Sequence, residues 1–501
     1  MWTTHSGDGG PQGLPNAYLV AHTPVRNTKI VATIGPAWRE PAQIRDMLLA
    51  GVDVVRVNAS HGDAGWRKET IERIQAVREA LGKATGILLD LQGPRIRVGA
   101  LSEPRELVAG QRVVFAPESR AAGGELPTTY EGLARDVMPG ARILLDDGLL
   151  SVEVTGVQGD RVEGVVRDAG VLRANKGMNL PGLEVSAPAV TEKDAGDIRS
   201  AVEVGVDYIG MSFVRRAEEV EAVRTLIPKT VRLVAKIEKD TAIANLAGIL
   251  RAADAIMVAR GDLGVELPFE EVPLMQKRLI RQANLHGRPA ITATQMLESM
   301  IQNARPTRAE VSDVANAILD GTDAVMLSAE TAVGKHPLGA VRAMDRIARE
   351  VERHRNGRSP AFDLALGRRG SGDPGGQAPA THRTEDAIAV AVCAAAELMP
   401  AAVILCFTSS GFTARTVAAY RPSVPIVAST PEAATFHQLA LVWGVIPMLT
   451  EHHPHYDSML TVARGRLLDA GLVSPGDRVV VTAGVPWDVP GTTNLLKIET
   501  V

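Results

Sequence analysis

Eight short runs rich in Val, Ile, Leu and Ala, each ending in polar or small residues, recur along the first two thirds of the chain. They are Lys29 to Gly35, Val52 to Ser60, Thr85 to Leu91, Asp207 to Phe213, Arg232 to Glu238, Ala255 to Leu263, Pro289 to Leu297 and Asp323 to Thr331. Stretches with helical periodicity lie between them, such as Pro41 to Ala50, Trp66 to Leu81 and Glu218 to Leu226. Strand then helix, repeated eight times, predicts an α/β chain folded as a (β/α)8 TIM barrel.

Most successive strand starts are about 23 to 34 residues apart, but the third and fourth are about 120 apart, far more than one crossover helix needs. A domain is therefore inserted over residues 94–188. Its short Val-rich strands and Gly-Asp turns, Gln158-Gly159-Asp160 among them, predict a small β-barrel. Entering after strand three, it overhangs the barrel's C-terminal face as a lid. The catalytic barrel then takes residues 27–93 and 189–354, ending with a helix from Gly339 to His354. Residues 355–380, rich in Gly, Arg and Pro without hydrophobic period, read as a linker. Residues 381–501 alternate helix and strand and predict a small, parallel α/β domain. Residues 1–26 read as a flexible tail, without the basic start and apolar run of a signal peptide.

The 45% hydrophobic content of 501 residues supports several separately cored domains. A net charge of −4 from 54 basic and 58 acidic residues, with no basic block, argues against a nucleic-acid partner. The longest apolar region, Ala387 to Phe407, is interrupted by Glu397 and Pro400 and reads as helix, turn and strand rather than a membrane span. Cys393 and Cys406 sit in apolar surroundings and read as buried thiols of a reducing compartment. The expectation is a cytoplasmic protein that crosses no membrane.

Reactive groups of such barrels project from the C-terminal strand ends. Here strand two ends Arg56-Val57-Asn58-Ala59-Ser60-His61, strand three Asp90, strand five Lys236-Ile237-Glu238, strand six Arg260-Gly261-Asp262, strand seven Thr294-Gln295 and strand eight Ser328-Ala329-Glu330. Alternation puts Lys236 and Glu238 on one side of their strand, and Arg56, Asn58 and Ser60 on one side of theirs. Glu238 and Asp262 offer hard oxygen ligands in the small number that Mg²⁺ prefers. Lys236 and Arg56 supply fixed positive charge for a phosphoryl group, and Thr294 can orient a hydroxyl or water. One Lys–Glu pair at a strand end is commonly only an ion pair, and a lone His61 only a loop residue. The set together on one face points to a site.

The run Leu233-Val234-Ala235-Lys236-Ile237-Glu238-Lys239-Asp240-Thr241-Ala242 resembles the active-site signature of pyruvate kinases. Met257 to Gly264, Ala293 to Met300, Arg305-Pro306-Thr307-Arg308-Ala309-Glu310 and Asp313-Val314-Ala315-Asn316 resemble further blocks of that family, and the likeness runs from Asn27 to Val501. The resemblance implies transfer of a phosphoryl group from phosphoenolpyruvate to ADP, giving pyruvate and ATP. It implies that Glu238 and Asp262 hold Mg²⁺, that Lys236 steadies the phosphoryl group, and that Arg56, Lys236, Gly261, Asp262 and Thr294 bind the substrate. Asn58, Ala59, Ser60, His61, Arg97 and Lys176 would contact the nucleotide. It further implies a homotetramer.

Asn58, Ser60, Asp90 and the Leu91 carbonyl match the family's monovalent-cation site. Potassium-requiring members, however, carry Thr-Lys-Gly-Pro-Glu where this chain has Leu91-Gln92-Gly93-Pro94-Arg95. A unit charge at about 4 Å and an effective dielectric near 20 is worth roughly 4 kcal/mol, enough for Arg95 to take an ion's place. The expectation is an enzyme that needs no K⁺. The C-terminal domain resembles the family's regulatory domain. There Thr408-Ser409-Ser410-Gly411-Phe412-Thr413 follows a strand and opens a helix, a turn suited to a phosphorylated allosteric effector, and Gly484 to Asn494 would cover the same ligand. Thr408, Ser409, Ser410, Gly411 and Thr413 are its candidate contacts. A structural helix cap is the plainer alternative for this turn. For the barrel the alternative is an Mg²⁺-dependent lyase or aldolase acting through a pyruvate enolate, which would need no nucleotide lid.

Overall fold

The computed structural model describes residues 26–354, 383–486 and 492–501. The eight runs form the strands of a closed parallel barrel: β1 (Lys29–Thr33), β2 (Val54–Asn58), β3 (Gly86–Asp90), β4 (Tyr208–Met211), β5 (Arg232–Ile237), β6 (Ala255–Ala259), β7 (Ala290–Ala293) and β8 (Ala324–Leu327). Each pairs with its sequence neighbours, and β8 closes on β1 with Lys29 opposite Ala324. Six of the eight, β1, β3, β4, β6, β7 and β8, are buried at every residue, as strands covered on both faces must be. Strands six to eight are shorter than the sequence suggests. Arg260–Glu266 is already helical, and Ala329–Ala332 forms a helical turn. Beyond the barrel rim a strand loses the neighbours that satisfy its N–H and C=O groups, so the chain turns to local hydrogen bonds instead.

The N-terminal rim is closed by a repeated device. Asp53, Asp207, Asp254 and Asp323 each stand immediately before a strand, and their carboxylates accept the backbone N–H groups of Ile30, Ile87, Leu233 and Ala290 at 2.8, 2.8, 2.9 and 3.0 Å. Each also holds an arginine: Arg26, Arg78, Arg224 and Arg421, respectively. Arg26, expected at the end of the tail, is thus buried and also pairs with Asp345. The rest of the expected tail, residues 1–25, and the expected linker lie outside the described residues. Arg421 reaches in from the C-terminal domain, as does Leu441, which packs against Val31, Leu88 and Met257 in the barrel bore. Burial of a leucine contributes roughly 1.5–3 kcal/mol. The C-terminal domain therefore stoppers the barrel.

The inserted domain is a six-stranded sheet whose two edges are joined by one segment, with a separate two-stranded sheet of Arg105–Leu107 and Gly170–Leu172. Val98 bridges Thr128 on one edge and Arg97 bridges Gly177 near the other, which closes the predicted small barrel. Phe115, Leu126, Ile143 and Val152 fill it. In the C-terminal domain, helix Thr384–Leu398 leads into strand Ala401–Phe407, the division expected of the long apolar region. Four of its five strands are parallel, but the last, Leu495–Thr500, runs antiparallel to Arg478–Ala483. The expectation of a parallel sheet is corrected there: the connection is too short for the crossover that a parallel return requires. Among the described residues no helix is long and apolar enough to cross a membrane. Cys393 and Cys406 are free and buried, and burial pushes both thiols to higher pKa.

Candidate active site

Along β2, Arg56 and Asn58 are half-buried while Val55 and Val57 are buried, so the polar side of the strand faces the barrel mouth as alternation requires. Arg56 donates to Thr33 Oγ1 at 3.0 Å and pairs with Asp90 at the end of β3 at 2.7 Å. Asp90 is 1% exposed and lies 3.4 Å from Lys236 Nζ on β5. Lys236 in turn pairs with Glu238 at 2.9 Å and donates to Ser212 Oγ at 2.7 Å. Glu238 is 1% exposed, and its other oxygen accepts the N–H of Phe213 at 2.7 Å. Five strand ends, those of β1 to β5, thus feed one connected network.

Its electrostatics follow from that connection. Burial alone would raise the Asp90 pKa, but Lys236 and Arg56 outweigh it and hold the group below the ordinary carboxylate range. Burial would lower the Lys236 pKa, but Asp90 and Glu238 outweigh it and raise it. Glu238 goes the other way: burial and the nearby Asp262 raise its pKa in spite of Lys236. Among the described residues no group of three or more His, Cys, Asp or Glu side chains is arranged to hold a metal. Two carboxylates that repel each other, one buried and one at 30% exposure, suit a cation that takes its remaining oxygens from substrate and water, the habit of Mg²⁺.

The other half of the mouth is backbone. Gly261 and Asp262 were expected on a strand end and instead occupy the first turn of helix Arg260–Glu266. Gly261 N–H donates to Thr294 Oγ1 at 2.8 Å, and that hydroxyl donates to the Ala293 carbonyl at 2.6 Å. Thr294 and Gln295 both have positive φ, 68° and 55°, a sparsely populated conformation for such residues and one concentrated at functional sites. Arg260 braces the turn through Asp313 and the Thr294 carbonyl. Glu330, expected at the site, is buried and caps Leu297 and Ser328 N–H groups, a structural duty.

A cleft of about 230 Å³ lies between lid and barrel, lined by Arg95, Arg97, Lys176, Lys239 and Asp262 among others. Lys176 pairs with Asp146 at 2.8 Å, and Asp146 and Asp147 form a turn with positive φ. Asn179 of the lid donates to Glu266, which also holds Lys239. Of the six residues expected at the nucleotide, Arg97 and Lys176 line this cleft. Asn58 caps the N–H of Ser60, His61 is exposed, and Ala59 is buried with its carbonyl taken by Lys193. Arg95 makes its ion pair with Asp262 at 3.9 Å, while Asp90 is held by Arg56 and the Leu91 carbonyl by Ser212. Ser212 escaped the sequence argument, since a lone polar residue at a strand end carries no spacing signal, and Lys239 and Arg260, named there only within longer runs, were given no role.

In the C-terminal domain, Thr408, Ser409, Ser410 and Thr413 line a second cavity of about 270 Å³ with Glu432, His452, His453 and Gly484. Gly411, with φ +75°, makes the turn into helix Phe412–Ala419. Thr413 shares a hydrogen bond with Thr493 at 2.8 Å, so the Gly484 to Asn494 loop does reach this cavity, although residues 487–491 lie outside the described residues.

Comparison with known proteins agrees with this arrangement. Residues 25–341 match the family described as pyruvate kinase, barrel domain, and residues 386–499 match pyruvate kinase, alpha/beta domain. The pyruvate kinase of Geobacillus stearothermophilus is 45% identical over 95% of this chain and 80% of its own. That of Mycobacterium tuberculosis is 42% identical over 95% and 98%. A solved pyruvate kinase of Cryptosporidium parvum superposes with a TM-score of 0.88 at 34% identity, covering 95% of this chain and 96% of the other. The lyase alternative falls with these matches: the chain belongs to the pyruvate kinase family, phosphotransferases that move a phosphoryl group from phosphoenolpyruvate to ADP.

Proposed function

We propose that the network at the barrel mouth carries the family's reaction, with Lys236, Thr294 and Arg56 as its catalytic groups. Arg56 and Lys236 hold the phosphoryl group from two sides, while Gly261, Asp262 and Thr294 position the rest of phosphoenolpyruvate. Glu238 and Asp262 would hold Mg²⁺, which when bound supplies charge neutralisation for the phosphoryl oxygens. An oxygen of the ADP β-phosphate attacks phosphorus, the bond from phosphorus to the enol oxygen breaks, and the enolate takes a proton at carbon to give pyruvate. Lys236 offsets the negative charge in transfer. Thr294 orients the proton donor. Arg97 and Lys176, with Asn58 to His61 at the barrel rim, are the nucleotide contacts. What supports this reading is the unbroken chain of contacts from Arg56 through Asp90 and Lys236 to Glu238.

The same proposal holds that Arg95 replaces K⁺. Its guanidinium, beside Asp262, adds permanent positive charge to the cleft in which two phosphorylated ligands meet. We further assign the C-terminal cavity to a phosphorylated effector, whose phosphate would rest on the N–H groups and hydroxyls of Thr408 to Thr413. A cytoplasmic homotetramer completes the proposal, and the exposure of Phe269 (84%) and Leu274 (69%) on the single chain suits a subunit contact.

The test is pyruvate formation from phosphoenolpyruvate and ADP with Mg²⁺ in potassium-free buffer, then after adding KCl, with Lys236→Met as the blank. Turnover before KCl, lost in Lys236→Met, is the expected result, and Arg95→Glu should then create a K⁺ requirement. Turnover only after KCl would remove the role of Arg95 and leave that of Lys236.

A further inference from the structure

Lys236 has three N–H bonds and three neighbours: Glu238 at 2.9 Å, Asp90 at 3.4 Å and Ser212 at 2.7 Å. The two carboxylates have other duties, since Asp90 is clamped by Arg56 and Glu238 accepts from Phe213. The serine is the shortest contact and the only uncharged one. Its own proton goes to the Leu91 carbonyl at 2.8 Å. A hydroxyl has one proton, so with that proton directed at Leu91 only lone pairs face Lys236, and the group can act there only as an acceptor. An ammonium, which can only donate, is its matching partner.

Ser212 is itself held. It is 5% exposed, and the turn after β3 closes on it: a Cβ on Gly93, whose φ is +69°, would stand 2.9 Å from Ser212 Cβ. Leu91 is tied to β4 by its own N–H, which donates to the Gly210 carbonyl at 2.9 Å. The tether therefore runs from the end of β3 through the end of β4 to β5. The next residue, Phe213, has positive φ, 57°, which accompanies its N–H bond to Glu238. Two successive residues thus hold the two ends of the Lys236–Glu238 pair, one by side chain and one by backbone.

From this geometry we infer that Ser212 is a positioning residue for phosphoryl transfer, fixing the Lys236 ammonium against the Leu91 carbonyl. The inference rests on the reading that Lys236 acts on the phosphoryl group. Because the tether orients the ammonium rather than touching phosphoenolpyruvate, its loss acts on turnover more than on binding.

The experiment compares Ser212→Ala and Ser212→Thr with the parent full-length enzyme by kcat, by KM for phosphoenolpyruvate, and by phosphoenolpyruvate binding without turnover, read from intrinsic fluorescence. Loss of a hydrogen bond to a charged group predicts a kcat lowered by about 10- to 100-fold in Ser212→Ala. KM and the binding constant should stay within about 3-fold, and Ser212→Thr, which keeps the hydroxyl, should recover most of kcat. A kcat within 2-fold of the parent, a loss confined to KM, or equal losses in both variants would overturn the inference. If Ser212→Ala does not fold, Ser212→Cys carries the same test, because a thiol is a weak acceptor of similar size. Combination with Lys236→Met separates the two claims. If Lys236→Met leaves turnover intact, the reading of Lys236 fails; if Lys236→Met abolishes turnover while Ser212→Ala leaves kcat unchanged, only the tether fails.

Discussion

At the N-terminal rim of the barrel Asp53, Asp207, Asp254 and Asp323 each hold a backbone N–H and at least one arginine, whereas at the C-terminal rim Asp90 and Glu238 divide one lysine between them. Residue types are much the same at the two ends, and the most buried carboxylates are comparable. Asp323 is 3% exposed and Asp90 1%. What differs is the allotment of partners and what lies beyond them. Asp323 and Asp207 meet Arg421, Trp443 and Gln438 of the C-terminal domain, while at the other end Asp262, close enough to Glu238 to raise its pKa, lines a cleft with Arg95, Lys176 and Lys239. Carboxylates that each have an arginine and a strand N–H hold a fold together. Shared pairs can be redistributed when a charged ligand arrives, and that is the property a phosphoryl-transfer site requires.

The comparison is broken most directly at Arg421. Its guanidinium is 2% exposed, pairs with Asp323 at 2.9 Å and also donates to the Gly321 carbonyl. Arg421→Ala leaves a buried carboxylate unpaired and should cost about 3–5 kcal/mol of stability. Thermal melting and urea titration would show that loss, while kcat per folded molecule stays at the parent value. A variant that melts normally but turns over slowly would mean that the two ends are not functionally distinct.

How far each end could be read from sequence differs in the same way. The C-terminal rim was legible because alternation along β2 and β5 puts Arg56, Asn58, Lys236 and Glu238 on predictable faces, and a charged residue pointing into a barrel mouth is conspicuous. The N-terminal rim was not, although Gly51-Val52-Asp53, Gly205-Val206-Asp207 and Gly321-Thr322-Asp323 repeat in plain view. Three residues between helix and strand look like ordinary turns until the neighbouring strand's N–H is placed beside the carboxylate. Ser212 was missed for a related reason, since its meaning lies in contacts to β3 and β5 rather than in its own strand. Arg95 shows a third limit. Its sign and neighbourhood are plain in the chain, but the choice of Asp262 as its partner depends on a long exposed side chain that no pattern fixes.

A second, smaller effect belongs to the closed end. His437 of the C-terminal domain accepts the N–H of Thr85 through Nδ1 at 3.2 Å, and burial together with the nearby Arg78 lowers its pKa to about 3. The unfolded chain would titrate near 6.5, so between those values the unfolded state binds more protons than the folded one. Stability is complete above about pH 6.5 and declines as pH falls toward 3, by up to roughly 1.4 kcal/mol per pH unit from this residue. His437→Asn, which keeps a side-chain acceptor but cannot ionise, should flatten the dependence of melting temperature on pH between 6.5 and 5. Equal slopes for parent and variant would show that the imidazole is not excluded from protonation in the fold.

The smallest effect sharpens the comparison at the open end. Lys176 is 39% exposed and pairs with Asp146, which is 13% exposed, across the lid turn at 2.8 Å. A pair this accessible contributes about 0.2–1 kcal/mol, so it can be given up to a nucleotide phosphate at little cost, unlike the pair of Arg421 with Asp323. Asp146→Asn keeps the turn, because asparagine also tolerates the positive φ of 51° found there. It releases Lys176 from its carboxylate. The expected outcome is a KM for ADP lowered by about 2- to 5-fold at low salt, with the difference shrinking as ionic strength rises and with the KM for phosphoenolpyruvate unchanged. If the KM for ADP instead rises, Asp146 is presenting Lys176 to the nucleotide rather than competing with it, and the lid pair belongs with the fixed pairs of the closed rim.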